Sequence, residues 1–162
     1  MKKLIFAFLL IAVLVIGCKS TNDSNRQRNI NVTTFSNVEG IEWKLLEVHI
    51  DGTFSREILF DRRTLSREGI ADIYTAKFDG ELVSGVGSPN RYTAPYTIGE
   101  EQSINIAVMR STLMASLFEP EKLPEHQFFG YMQNVYEWQF ADGNLIFLSK
   151  TEDGRDVRLV FG

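Results

Sequence analysis

The chain has one cysteine, two histidines and four prolines in 162 residues, and these scarcities close off classes of chemistry. A lone thiol, Cys18, can make no internal disulfide and no cysteine-rich zinc site, so the fold must stand on its hydrophobic core. A Ser-His-Asp arrangement needs an imidazole oriented by a carboxylate beside a hydroxyl, and a metal needs three or four clustered ligands. His49 lies between Val48 and Ile50 on the outward face of a strand pattern, and His126 follows Glu125 in the first turn of a helix pattern. Both read as surface residues, and no catalytic residue, metal site or cofactor is assigned. Positive charge is short as well. The formal charge of −4 becomes −6 if Lys2 and Lys3 are removed, because no acid leaves with them. A mildly acidic chain argues against nucleic acid and against electrostatic docking on anionic lipid. Gly85-Val86-Gly87 lacks the lysine and the strand-to-helix context of a phosphate loop, so its glycines are read as serving a bulge or a positive φ.

What is present begins with a leader. Met1-Lys2-Lys3 is a basic head, Leu4 to Ile16 is an unbroken apolar run, and Gly17-Cys18 ends it. The run falls short of the roughly 20 residues of a membrane-spanning helix and has the size of a secretory h-region. Leu14-Val15-Ile16-Gly17-Cys18 resembles a bacterial lipobox, which implies cleavage before Cys18 and a diacylglycerol on its sulfur. The expected division is a signal peptide over 1–17, a flexible polar tether over 18–37 and one folded domain over 38–162. A flexible tether of about 20 residues spans roughly 25 Å, enough to lift a domain off a bilayer. The expected location is the bacterial cell envelope, lipid-anchored through Cys18, at the outer membrane or a periplasmic face.

Within the domain, Ile41, Trp43 and Leu45 alternate with Glu42 and Lys44, and Leu46, Val48 and Ile50 continue in the opposite phase, which a bulge near Leu45-Leu46 would reconcile. Tyr74, Ala76 and Phe78 share a face before Asp79-Gly80, read as a two-residue hairpin turn, with Leu82, Ser84 and Val86 on the return strand. Tyr92, Ala94, Tyr96 and Ile98 alternate next, and Pro95 marks that strand as an edge or as unpaired there. Ile104, Ile106 and Val108 follow, and Arg110 to Phe118 reads equally as a helical turn or coil. Glu125, Phe128, Phe129, Met132 and Val135 recur at helical spacing, with Glu125 suited to the positive end of the macrodipole and Asn134 to termination. A meander through Ala141-Asp142-Gly143-Asn144 and Glu152-Asp153-Gly154 completes the chain. The expected class is α+β and mainly antiparallel. Its sheet is curled into a partly open β-barrel, with one amphipathic helix over about Pro124 to Asn134. Tyr92, Tyr96, Phe128, Phe129 and Met132 are the candidates to line a hydrophobic cavity, with plain core as the competing reading.

The connection Ser84 to Tyr96 crowds glycine, proline and asparagine together, and it carries a family likeness. Trp43-Lys44-Leu45, Phe78-Asp79-Gly80 with Val83-Ser84-Gly85, Asn90-Arg91-Tyr92 with Tyr96, and Ser111-Thr112-Leu113-Met114-Ala115 with Glu125 and Met132 resemble, in order, segments of the META-domain family, also called HslJ-like. The resemblance implies a β-rich envelope domain linked to stress response, antibiotic tolerance or virulence. It assigns no catalytic residues, and it makes Gly85, Gly87, Pro89, Asn90, Tyr92 and Tyr96 a structural signature loop. It also implies a likeness to a small pilotin lipoprotein that holds lipid in a barrel cavity. Relatives carry cysteines where this chain has Pro89 and Ser116, so the two positions are expected to be neighbours, with Asn90 as a latch. Two functions follow as expectations: a non-catalytic module that binds or stabilises an envelope partner, or a carrier of an acyl chain or other hydrophobic ligand.

Overall fold

The computed structural model describes residues 34–52, 55–65, 72–115 and 119–162. The leader, Cys18, most of the tether, Ser116 and the second half of the charged excursion after Asp61 lie outside the described residues.

Ten strands and one α-helix make up the described part. The strands are β1 (Glu42–Asp51), β2 (Arg56–Asp61), β3 (Thr75–Asp79), β4 (Leu82–Val86), β5 (Arg91–Ile98), β6 (Ile104–Ile106), β7 (Arg110–Ser111), β8 (Glu137–Ala141), β9 (Asn144–Lys150) and β10 (Asp156–Phe161), and the helix is α1 (Glu125–Gln133). The sheet is antiparallel throughout, in the order β6-β5-β4-β3-β1-β10-β9-β8, with β2 paired to β1 and β7 to β5. A bridge between Ser103 and Glu137 brings the two ends of that order together. Two backbone hydrogen bonds flank it, Ile104 N–H to Tyr136 O and Trp138 N–H to Gln102 O, so the sheet is a nearly closed barrel. The expected fold class is the observed one.

Strand β1 is the spine. Its first residues pair with β3, its last with β2, and its other edge with β10. The register slips between Leu45 and Glu47, so Trp43 and Leu45 face inward before the slip and Val48 and Ile50 after it. A one-residue bulge is what a change of apolar phase within one buried strand requires.

The two hairpin signals behave differently. Ala141 pairs with Asn144 around Asp142-Gly143, both at positive φ, which is the I′ pattern. Asp79 instead pairs with Leu82, so the loop is Gly80-Glu81, with positive φ at Gly80 only. Val83 lies opposite Phe78 and is buried, while Leu82 and Ser84 face water. Val108 is likewise exposed, not a continuation of the inward Ile104 and Ile106. Strand β5 has neighbours on both sides, and Pro95 falls where the second neighbour changes, after β7 ends its pairing at Thr93 and before β6 begins at Tyr96. Arg110 to Ala115 contains no helical turn, its first two residues being β7.

Helix α1 matches the expected span, with Pro124 as N-cap and Asn134 as C-cap, whose N–H returns to Gly130 O. Phe128 and Met132 are fully buried and Phe129 partly so. The packed domain starts earlier than Val38. Phe35–Asn37 forms a 3-10 turn that buries Phe35 edge-on against Phe78 and Trp138, so these three residues belong to the fold and not to the tether.

Candidate functional site

Strands β3 and β5 run the same way, so Tyr74 and Tyr92 mark one end of the barrel and Phe78 and Tyr96 the other. At the first end the chain spends its most constrained backbone. The loop from Gly85 to Asn90 passes between β3 and α1, and its glycines are there for closeness. A Cβ on Gly85 would stand 2.0 Å from Thr75 O, and one on Gly87 would stand 2.5 Å from Glu125 Oε1 and 2.8 Å from Phe129 Cζ. Neither glycine has a positive φ, so close approach replaces the conformational reason expected for them. The Ser88-Pro89 bond is cis.

Around that loop a polar knot closes. The Glu125 carboxylate, buried in the first turn of α1, accepts from Ser88 N–H at 2.5 Å, Asn90 N–H at 2.7 Å and Asn90 Nδ2 at 2.6 Å. Asn90 Nδ2 also donates to Met114 O at 3.1 Å, and Asn90 Oδ1 accepts from Thr112 Oγ1 and Met114 N–H, both at 2.7 Å. Two donated and two accepted bonds use every hydrogen-bonding position of a primary amide. Gly87 N–H closes the turn onto Asn90 O at 2.6 Å. Three segments far apart in sequence (the signature loop, the Thr112–Met114 stretch and α1) therefore meet on one amide and one carboxylate. Three N–H donors and the positive end of the helix meet at that carboxylate.

Beside the knot, Tyr92 OH donates to Thr75 O at 2.7 Å, and Tyr74 OH donates to Leu123 O. Burial pushes both phenols well above the ordinary tyrosine range, with the nearby Glu119 and Glu125 carboxylates adding to the effect at Tyr74. Phe128 contacts Tyr74, Tyr92 and Phe129. The proposed cavity set is divided by this geometry. Tyr92, Phe128 and Phe129 lie together, whereas Tyr96 sits at the far end against Phe35 and Phe78 and donates to Glu39 Oε1 at 2.8 Å. Burial first, and the Glu39 carboxylate second, raise the Tyr96 phenol.

Pro89 and Asn90 lie in the loop as read from the sequence, and Asn90 reaches the segment expected to pack on it. Ser116 lies outside the described residues. His126 is exposed, and His49, half-buried, faces Glu47 at 2.8 Å. No group of three or more His, Asp or Glu suited to a metal occurs among the described residues. The functional residue the sequence underrated is Glu125. Its place in the Phe128, Phe129 and Met132 stripe already put it on the inward face, but a charge at a helix start was read only as a partner for the dipole.

The comparisons with known proteins agree with this architecture. The META domain family model matches residues 36–160. A protein from Burkholderia xenovorans, solved by NMR, superposes with a TM-score of 0.52 at 12% identity, covering 78% of this chain and 85% of its own. A DUF4847 family protein from Bacteroides vulgatus gives 0.51 at 11% identity, covering 79% and 95%. At such identities the likeness is one of fold. No curated protein matches the sequence. With the signature loop, the Thr112–Met114 stretch and the helix tied into one knot, and the family model spanning nearly all of the described fold, the chain belongs to the META-domain family.

Proposed function

We propose that this chain is a non-catalytic, membrane-tethered module of the cell envelope that binds or stabilises a partner in a stress- or envelope-related role. The observation that carries the reading is the saturated knot. Asn90 and Glu125, which tie the loop to the helix, have their polar atoms occupied by the fold itself. A reactive centre leaves a donor, acceptor or nucleophile facing a space for substrate. Here the polar chemistry of the loop is consumed in holding shape, and the exposed faces are left to do the binding. The aromatic packing of Tyr74, Tyr92 and Phe128 beneath α1 favours this reading over the acyl-carrier alternative, because a carrier needs open apolar volume between helix and sheet.

The tether in this reading is Cys18, acylated after cleavage of the leader. Cys18→Ser is expected to release the domain from membranes or stall the precursor. Capture of the membrane-bound protein, with mass spectrometry of what co-purifies, is expected to return an envelope protein in stoichiometric amount. A mature mass and membrane partitioning unchanged by Cys18→Ser would end the lipoprotein reading. Stoichiometric lipid in the interior, with no protein, would replace the module by the carrier.

A further inference from the structure

Most described cations are spoken for. Lys44, Arg56, Arg63, Lys122, Lys150 and Arg155 each pair with a carboxylate, and Arg62 bonds the carbonyls of Leu45 and Ile73. Four cations make no ion pair with any described residue, and three of them, Lys77, Arg91 and Arg110, fall on one face; the fourth, Arg158, is on β10. The register explains the cluster. Lys77, Ser84, Thr93 and Arg110 stand side by side across β3, β4, β5 and β7, and Arg91 lies two residues from Thr93 on the same side of β5. A shallow cleft of about 220 Å³ opens between Lys77 and Arg91, floored by Ser84, Gly85 and Val86. Its acidic neighbours are Glu42, opposite Lys77, and Asp79, two residues beyond it; neither makes an ion pair there. The mild acidity of the whole chain therefore conceals a face with a local excess of positive charge.

Apolar side chains border this face. Leu113 is 99% exposed, Val108 79% and Met114 60%. Their segment is not slack: Thr112 exchanges backbone and side-chain bonds with Arg91, and the Asn90 amide holds both the N–H and the C=O of Met114. An apolar knob fixed in place beside unpaired cations matches a bilayer surface, where apolar side chains enter the headgroup boundary and cations meet phosphates. We propose that the face bearing Lys77, Arg91, Arg110 and Leu113 docks the domain on anionic lipid headgroups. This second contact rests on the proposed tether only for bringing the surface within reach.

The test uses the chain from residue 18 onward, without the apolar leader and with a Cys18→Ser exchange, which together remove the anchor, and an environment-sensitive fluorophore at Leu113→Cys. It is mixed with vesicles of phosphatidylcholine alone or with phosphatidylglycerol added. A blue shift is expected with the anionic vesicles only, weakening as salt is added. Lys77→Gln, Arg91→Gln and Arg110→Gln are each expected to lower the apparent partition about fivefold. The tether is read separately, by sedimentation of the chain with Cys18 intact and acylated. If that chain sediments with both vesicle types while the Leu113 label never shifts, the docking face is overturned and the tether stands. If the label shifts and Cys18 makes no difference to sedimentation, the docking face stands and the tether falls. A shift on neutral vesicles, a shift indifferent to the three cation variants, or a shift on an acidic polypeptide but on no vesicle overturns the lipid assignment.

Discussion

The two ends of the barrel are closed by different chemistry. At one, Phe35 plugs the mouth with a ring against Phe78, Tyr96 and Trp138, and single bonds tie the segment behind it: Tyr96 to Glu39, Trp43 Nε1 to Val38 O and Gly40 N–H to Phe78 O. At the other, α1 lays Phe128 and Met132 on the sheet, and the Asn90–Glu125 knot fixes the loop against it. The plug is tolerant, because apolar contact has no required angle and a neighbouring rotamer can keep most of it. The knot is exacting, because buried donors and acceptors cost free energy whenever one is left without a partner. Uniqueness of structure is therefore concentrated at the loop-and-helix end.

The largest expected effect is at that end. Phe128→Ala should lower stability by about 3–5 kcal/mol, since the ring is fully buried among three other rings. Denaturant melts of the purified protein read this directly. Phe35→Ala should cost less, about 1.5–3 kcal/mol, because the ring is carried on a short terminal turn that can lift away without opening the sheet. Hydrogen exchange should then rise at Phe35–Asn37 alone. Equal losses for the two rings would erase the contrast between the ends.

The knot makes a sharper test. Glu125→Gln keeps the volume, but either orientation of the new amide sets an NH₂ against Ser88 N–H and Asn90 N–H or against Asn90 Nδ2. It should cost roughly 1–3 kcal/mol, and Asn90→Ala a similar amount. Because both break the same knot, the double variant should lose clearly less than the two losses added, which a double-mutant cycle measures. Full additivity would mean that the amide and carboxylate act separately.

Alkaline titration reaches both ends at once. Tyr74, Tyr92 and Tyr96 have folded-state pKa values raised, chiefly by burial. A raised value means the folded protein keeps the proton that the unfolded chain gives up. The stability this preserves is therefore complete below the unfolded value of about 10 and is lost as pH climbs above it. Each retained phenol costs about 1.4 kcal/mol per pH unit in that window. Tyrosinate absorbance should rise together with loss of the fold; ionisation of these phenols in a still-folded protein would contradict their burial. The smallest effect is Tyr96→Phe, which removes the bond to Glu39 and should cost about 0.5–1.5 kcal/mol.

Much of the fold was legible because its signals are local. The β1 bulge follows from apolar phase, the Asp142-Gly143 turn from its residue types, and the ends of α1 from Pro124 and Asn134. The errors came where a longer-range partner decides. Asp79-Gly80 looks like the same turn as Asp142-Gly143, but the pairing of Phe78 with Val83 moves the loop by one residue. Phe35 sits in a polar stretch, and its three aromatic partners are more than 40 residues downstream. Tyr92 and Tyr96 share an alternation yet stand at opposite ends of one strand. Asn90 was legible as a latch in a turn, while its partner Glu125 was hidden by being a charge inside an apolar stripe.

The place of β10 has a consequence for time. It lies between β1 and β9, and Gly162 exchanges two backbone bonds with Lys44, so the spine of the sheet is completed by residues more than 100 positions further along the chain. Until β1 and β10 meet, β1 lacks its partner along one edge and the barrel cannot close. Bringing together strands so distant in sequence costs chain entropy before any contact repays it, so such a sheet forms slowly. While that meeting is awaited the β1 edge stands open, and an open edge is where a strand of another chain can pair instead.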